Sequence, residues 1–189
     1  KGVFFRLQDL PAAAQVPGQT RDALLMRIIG SPDPYNKHTD GMGGATSSTS
    51  KVVIVSPSTQ SGHDVDYLYG QVPINDNFID WSGNCGNLSA AVGPFAIANG
   101  MIDSARIPRD GICVVRIWQA NIGKTIIAHV QVANGQLQET GDFELDGVTF
   151  PAAEIVLEFI DPADEGEGEG GAMFPTGNLV DDLDVPGVG

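Results

Sequence analysis

The stretch from residue 86 to residue 99 constrains the fold most, because it predicts a helix with almost no polar face. Gly100 follows it as a C-terminal stop. A helix that is apolar on every side must be buried on every side, and Pro94 should bend it, because proline cannot donate to the Ala90 carbonyl. We therefore expect a strongly curled sheet around this helix. Its apolar residues are Leu88, Ala90, Ala91, Val92, Phe95, Ala96, Ile97 and Ala98.

The rest of the chain supplies strands for such a sheet. Short runs rich in β-branched and aromatic residues predict seven strands. They span residues 3–7, 51–55, 65–72, 112–118, 124–132, 136–139 and 153–160. Apolar residues at helical spacing predict a second helix over residues 20–29, and Asn134-Gly135 is typical of a hairpin turn. The sequence therefore predicts the α+β class.

The charge of the chain excludes two classes of partner. It has 189 residues, enough for one ordinary domain, and a formal net charge of −14. No basic patch is present to neutralise phosphates, so we expect neither a nucleic acid nor an anionic membrane as partner. No apolar run reaches the ~18 residues that a membrane helix needs. An anionic ligand would be repelled at long range, so local donors must bind it.

One cysteine lies at the start of the predicted buried helix. Gly83 and Gly86 flank Cys85 closely and allow a ligand to approach the backbone. The first N–H groups of a helix have no partner within it, and the helix dipole favours an anion beside them. The same field favours a thiolate at Cys85. The alternative is a small buried core cysteine, the usual role of a cysteine without a partner.

A second cluster precedes the strand that begins at Lys51. Gly43 and Gly44 would expose backbone amides, and a row of hydroxyls follows over residues 46–50. Such a stretch can bind a carboxylate beside the amine of Lys51. The alternative is a flexible Gly/Ser linker that ends at a solvated lysine.

Other patterns carry no chemistry. The stretch over residues 123–125 resembles the end of a phosphate-binding loop, but its first glycine would fall at Trp118, so we predict a β-turn. The histidines lack the spacing of metal ligands, and no C-x-x-C pair suggests zinc. The acidic run over residues 164–171 predicts a flexible loop without the spacing of an EF-hand.

Four motifs together resemble a known family. They are DGMGGATSSTSK at residues 40–51, DWSGNCGN at 80–87, WQANIGK at 118–124 and FPTGN at 174–178. The chain resembles the 2-methylaconitate cis–trans isomerase (PrpF-type) family over all 189 residues. The resemblance implies a diaminopimelate-epimerase-like fold, in which each of two halves is a curled, mostly antiparallel sheet around a central helix. Residues 1–189 then form most of the N-terminal domain, without its start and without the C-terminal domain, and we expect this piece to be inactive alone.

The resemblance also implies a reaction that moves only a proton. A base removes an allylic proton from 2-methyl-trans-aconitate, the double bond loses order and rotates, and the proton returns to give the cis isomer. The family's functional residues match Lys51 and Cys85. We favour Lys51 as the base. If a bound tricarboxylate keeps its amine charged, Lys51 instead stabilises the dienolate and Cys85 becomes the better base.

The remaining expectations concern binding and context. We expect a small tricarboxylate as the substrate and no cofactor or metal. We also expect a cytoplasmic protein that serves propionate catabolism in the methylcitrate cycle. Two alternatives stay open: an isomerase of aconitate, methylitaconate or oxalomesaconate, and a non-catalytic accessory protein of an aconitase-like dehydratase. A homo-oligomer and a functional link to such a dehydratase also stay open. The expected substrate-binding residues are Gly43, Gly44, Ser47, Ser48, Thr49, Ser50, Asn84, Gly86 and Asn87.

Overall fold

A computed structural model of the chain describes residues 1–160 together with residues 178 and 180. Within them lie two α-helices, seven β-strands and four single turns of 3₁₀-helix. The helices are α1 (Gln19–Ile29) and α2 (Gly86–Ala98). The strands are β1 (Val3–Arg6), β2 (Lys51–Pro57), β3 (Val65–Gln71), β4 (Gly111–Gln119), β5 (Lys124–Ala133), β6 (Gln136–Leu137) and β7 (Ile155–Ile160). The 3₁₀ turns are Leu7–Asp9, Ala12–Ala14, Ser47–Thr49 and Ser104–Arg106.

All the described strands belong to one mixed sheet. Its order is β1-β2-β3-β4-β5, and both β6 and β7 pair with β5 on the side away from β4. The pairs β1–β2 and β3–β4 are parallel, and the other four are antiparallel. The predicted α+β class with a mostly antiparallel sheet is therefore confirmed.

The sheet curls around α2. One apolar cluster joins Val92 and Ala96 of this helix to inward-facing residues from all the described strands. A second cluster lies on the opposite face of β1, β2 and β3, where Leu25 and Ile29 of α1 pack against it. The predicted curled sheet around a central helix is confirmed, with α1 as an outer layer on one half of the sheet.

The two-residue period of the strands decides which side chains face α2. Val53 and Val55 of β2 lie in the inner cluster, whereas Val52 and Ile54 lie in the outer one. Lys51 has the same parity as Val53, so it ends the inner row of β2. Gln71 likewise continues the inner row that Tyr67 and Tyr69 form in β3, and it pairs with Lys51 across the sheet. Lys51 and Gln71 therefore lie together at one end of the inner face.

The prediction that α2 is buried on every side is wrong for one face. Leu88, Val92 and Ala96 are buried, but Ala90, Ala91 and Pro94 are only half-buried, and Ala98 is exposed. The reason is that the described sheet does not close around the helix. A cleft of about 310 Å³ lies between this face of α2 and the segments around Leu137 and Ala153. The helix is continuous through Pro94.

The predicted turns are confirmed. Asn134 and Gly135 have positive φ angles of 53° and 73°, as a type I′ hairpin turn requires. The Gly123 amide donates to the Gln119 carbonyl at 2.9 Å in the β4–β5 hairpin, so the phosphate-loop-like stretch is a turn. No helix among residues 1–160 is long and apolar enough to span a membrane. The acidic run at 164–171 and most of the FPTGN motif lie outside the described residues.

Candidate active site

The structure brings Lys51 and Cys85 into contact across 34 residues of sequence. The Lys51 Nζ donates to Cys85 Sγ at 3.4 Å, in a part-buried position. Lys51 arrives there as the first residue of β2, and Cys85 as the residue immediately before α2. An amine and a thiol at this distance can exchange a proton or share one acidic substrate group.

Cys85 is the N-cap residue of α2, and no side chain caps this helix start. The N–H groups of the first turn therefore remain available to another acceptor, and the helix dipole favours an anion there. Asn84, Gly86 and Asn87 are exposed around the same point, whereas Cys85 itself is 8% exposed. The three predicted binding residues of this segment thus surround the thiol at the surface.

The five hydroxyl residues before Lys51 differ in exposure and in hydrogen bonding. Thr46, Ser47 and Ser48 are exposed, and the Ser48 hydroxyl lies 2.9 Å from the Thr46 hydroxyl. The Thr49 hydroxyl lies 2.8 Å from the Thr46 hydroxyl within a capping box, and the fully buried Ser50 donates to the Val72 carbonyl at 2.6 Å. Serine and threonine often bond locally to the backbone in this way. A substrate role for Thr49 and Ser50 stays a prediction, and in this structure their hydroxyls are engaged within the protein.

The amides of Gly43 and Gly44 are not free, which differs from the basis of the sequence prediction. Gly43 N–H donates to the Ile29 carbonyl at 2.9 Å, and Gly44 N–H donates to the Thr49 carbonyl at 3.1 Å. A Cβ at Gly43 would lie 2.2 Å from His38 Nδ1, so only glycine fits there. These two glycines let the loop pack against the end of α1, and their role in substrate binding stays a prediction.

Gln71 connects the hydroxyl row to the inner face of β3. Its Nε2 donates to the Ser50 and Ser47 carbonyls at 2.9 and 3.0 Å, and its Oε1 accepts from the Tyr69 hydroxyl at 2.6 Å. Burial raises the pKa of Tyr69 to about 12, and the nearby Cys85 and Asp80 contribute in the same direction. The Tyr69 hydroxyl therefore stays protonated as the donor to Gln71, and the loop is fixed relative to β3.

Sequence reasoning missed three further residues that contact the site segment. Tyr67 and Ser89 both donate to the Cys85 carbonyl, and Asn121 donates to the Trp81 carbonyl. Asn121 belongs to the WQANIGK motif, which had no assigned chemistry. The sequence does offer one indication for Tyr67. It lies on the predicted buried face of a strand, where a tyrosine hydroxyl needs a hydrogen-bond partner.

Within residues 1–160, no group of three or more histidine, cysteine, aspartate or glutamate side chains has a metal-binding arrangement. The residues placed at the candidate site supply the Lys51 amine, the Cys85 thiol, amide groups and hydroxyls.

Comparison with known proteins identifies the family. A model of the PrpF protein family matches residues 1–189, the whole chain. The chain belongs to the PrpF family. This membership confirms the resemblance that the four motifs indicated.

Curated PrpF relatives are named as isomerases. The 2-methyl-aconitate isomerase of Cupriavidus necator is 76% identical over 189 residues, which are 100% of this chain and 48% of the relative. The 3-methylitaconate isomerase of Eubacterium barkeri is 41% identical over 183 residues, 97% of this chain and 45% of the relative. The chain thus spans about half the length of the curated relatives it matches.

A solved structure shares the PrpF fold. The crystal structure of a methylitaconate-delta-isomerase superposes with a TM-score of 0.81 and 40% sequence identity. The match covers 96% of this chain and 44% of that chain. The predicted diaminopimelate-epimerase-like half agrees with this likeness.

Proposed function

We propose that the protein containing this chain is an isomerase that interconverts 2-methyl-trans-aconitate and 2-methyl-cis-aconitate. The contact between Lys51 Nζ and Cys85 Sγ at 3.4 Å, beside the uncapped start of α2, carries the proposal. Two relatives named 2-methyl-aconitate isomerase, from Cupriavidus necator and Shewanella oneidensis, are 76% and 75% identical over all of this chain. Residues 1–189 are then most of the N-terminal domain of a two-domain enzyme.

The proposed reaction moves one proton and uses no redox step. A base removes a proton from the allylic carbon, and the electron pair delocalises through the double bond into the adjacent carboxylate as a dienolate. The carbon–carbon bond that was the double bond then rotates, and a proton returns to the same allylic carbon, which restores the double bond in the cis arrangement. Lys51 is the proposed base that takes the proton, and Cys85 lies close enough to hold or return it.

The substrate carboxylates need local donors, because the net charge of −14 repels a polyanion at long range. The first N–H groups of α2 and the side chains of Asn84 and Asn87 supply such donors next to Cys85. Gly86 leaves the helix start open, and Ser47 and Ser48 are exposed on the adjacent loop. These residues hold the acid groups while the proton moves.

A related double-bond isomerase is the second candidate function. Relatives named 3-methylitaconate isomerase and 4-oxalomesaconate tautomerase, from Eubacterium barkeri and Pseudomonas putida, are both 41% identical to this chain. Proton transfer beside a Lys–Cys pair serves all these substrates equally. A panel of 2-methylaconitate, aconitate, methylitaconate and oxalomesaconate separates them by kcat/KM, and an accessory protein of a dehydratase turns over none.

The test of the base uses a hybrid enzyme, in which residues 1–189 replace the matching residues of the Cupriavidus necator relative. Lys51→Ala should abolish isomerisation of 2-methyl-trans-aconitate and also abolish deuterium uptake into the substrate from heavy water. Loss of the Lys51 amine removes the proton acceptor, so isomerisation and deuterium uptake should both stop. NMR of the recovered substrate measures both.

Exchange that persists in Lys51→Ala while isomerisation stops would show that another group accepts the proton. In that case Cys85→Ser should abolish the exchange. Normal turnover by Cys85→Ser would give the thiol a packing role only.

The cellular setting remains part of the proposal. Cys85 and Cys113 are both free thiols, which fits a reducing cytoplasm. A cis tricarboxylate product fits consumption by an aconitase-like dehydratase in propionate catabolism, and such an enzyme is the expected functional partner. A homo-oligomer is a further expectation that gel filtration of the hybrid enzyme measures.

A further inference from the structure

The turn between β4 and β5 carries a motif to which the proton chemistry assigns no role. Its Asn121 side chain makes four hydrogen bonds. Oδ1 accepts from Tyr69 N–H at 2.8 Å and from Gln119 Nε2 at 2.7 Å. Nδ2 donates to the Tyr69 carbonyl at 2.8 Å and to the Trp81 carbonyl at 2.7 Å. Two donors and two acceptor positions are all that an asparagine amide has, so the group is saturated.

The position of Asn121 explains these contacts. The β3–β4 ladder covers only three residue pairs, the last being Tyr67 with Gln119. Beyond it, the N–H and C=O of Tyr69 bond to the side-chain amide of Asn121, which replaces the next residue of a strand. The second Nδ2 hydrogen of Asn121 bonds to the Trp81 carbonyl, so Trp81 is attached to the same end of β3. Asn121 therefore ties the beginning of the segment 81–85 to β3.

The other end of this segment is held by the next inward residue of β3. The Cys85 carbonyl accepts from the Tyr67 hydroxyl at 3.2 Å, and from the Ser89 hydroxyl and amide at 3.0 and 3.1 Å. Tyr67 and Ser89 are fully buried. Burial raises the pKa of Tyr67, so its hydroxyl keeps the proton that it donates. Three donors on one carbonyl fix the peptide plane from which the Cys85 side chain projects.

We propose that Asn121 and Tyr67 are positioning residues that hold Cys85 Sγ against Lys51 Nζ by fixing both ends of the segment 81–85. Each acts through the backbone of the segment that carries the thiol, because Asn121 donates to the Trp81 carbonyl and Tyr67 to the Cys85 carbonyl. The consequence for catalysis rests on the proposed function, but the consequence for the thiol does not. A displacement of about 1 Å between reacting groups can cost about 10²-fold in rate.

We call Asn121 and Tyr67, which hold the two ends of the segment 81–85, the clamp. Two conservative variants test this clamp in the hybrid enzyme. Asn121→Asp keeps the shape but turns an oxygen toward the Tyr69 and Trp81 carbonyls, and Tyr67→Phe removes one hydroxyl. Each should lower kcat by about 10²-fold with little change in KM, because the proposed carboxylate donors are intact. Asn36→Asp and Tyr35→Phe make the same chemical changes at exposed positions outside the site and should behave as the unaltered enzyme.

The decisive measurement needs no substrate. Iodoacetamide alkylates the thiolate form of cysteine, which a neighbouring amine favours. The pH profile of Cys85 alkylation is therefore the readout for its contact with Lys51 Nζ. Lys51→Met should shift this profile, and Asn121→Asp should shift it in the same direction. The double variant should show no further shift, because the contact is already lost. A change that merely destabilised the fold would leave the profile of the folded protein unmoved.

The outcomes separate the two proposals. Unchanged alkylation profiles in folded Asn121→Asp and Tyr67→Phe overturn the clamp, even if kcat falls. If Asn121→Asp does not fold, Tyr67→Phe decides alone. If the unaltered hybrid turns over no acid while the profiles shift as expected, the clamp stands and the proposed function fails.

Discussion

At the scale of single residues, Cys85 occupies a position that usually belongs to another residue type. Serine, threonine, aspartate or asparagine normally precedes a helix, because a side-chain oxygen can accept from the first turn. Cys85 makes no such bond, so α2 forgoes about 1 kcal/mol of capping energy. In return the first turn keeps its N–H groups open and the sulfur faces the Lys51 amine. A cysteine at this N-cap position therefore favours ligand binding at the helix start over the stability of the helix.

His38 gives a prediction at the same scale, because it shapes the loop before Lys51. It is 2% exposed, and its Nδ1 accepts from Ala45 N–H at 3.1 Å. The ring proton must then lie on Nε2 in the neutral form. We expect ¹⁵N NMR of the neutral ring to report the Nε2–H tautomer for His38. His38→Ala should lower the free energy of unfolding by about 1–3 kcal/mol, because Ala45 loses its acceptor.

The exposed neighbour Lys37 provides the control for this substitution. Lys37→Ala should change the free energy of unfolding by less than about 0.5 kcal/mol, as surface changes usually do. An Nδ1–H tautomer at His38 would contradict the hydrogen bond to Ala45 and with it the predicted loss.

At the scale of elements, α2 offers two glycines with opposite surroundings. A Cβ at Gly93 would lie 2.8 Å from Val130 Cγ2 and 3.1 Å from Ala128 Cβ, where helix and sheet approach closely. Overpacking of this kind costs about 1–3 kcal/mol, against a gain of about 0.5–1 kcal/mol for alanine in a helix. We expect Gly93→Ala to lower the free energy of unfolding by roughly 1 kcal/mol, measured by urea unfolding of the chain.

Gly86 at the start of the same helix is the matched partner. A Cβ there meets nothing within 4 Å, so Gly86→Ala should leave stability unchanged or slightly higher. The methyl would project where the proposed substrate carboxylate binds, so KM of the hybrid enzyme should rise. A rise in KM from Gly93→Ala instead, with none from Gly86→Ala, would contradict this assignment.

Much of this element structure can be predicted from sequence, because local periodicity records it. The apolar run of α2, the alternation in β3 and the Asn134-Gly135 turn each report a neighbourhood a few residues long. The pairing of Lys51 with Cys85 was expected only from the family resemblance, and the structure places Lys51 Nζ 3.4 Å from Cys85 Sγ. The saturated amide of Asn121 was beyond prediction, because it depends on where β4 stops pairing with β3, and no local pattern encodes that.

At the scale of the whole molecule, the candidate site lies open on one side. Asn84, Gly86 and Asn87 are exposed beside the Lys51–Cys85 pair, and the adjoining face of α2 is only partly covered. Proton abstraction from a weak carbon acid needs a site that excludes water and holds every carboxylate. The relatives named as isomerases are about twice as long as this chain, so the rest of such a protein can supply both conditions.

The final prediction follows from this open geometry. The 189-residue chain by itself should present a Cys85 thiol that reacts with iodoacetamide, and the pH profile of that reaction should depend on Lys51, because the pair lies wholly within the chain. It should not isomerise 2-methyl-trans-aconitate, and the acid should not protect Cys85 from alkylation. In the hybrid enzyme the same acid should protect Cys85, because its carboxylates are then held from both sides. Turnover by the isolated chain would show that its own donors suffice, and would contradict the need for a second half.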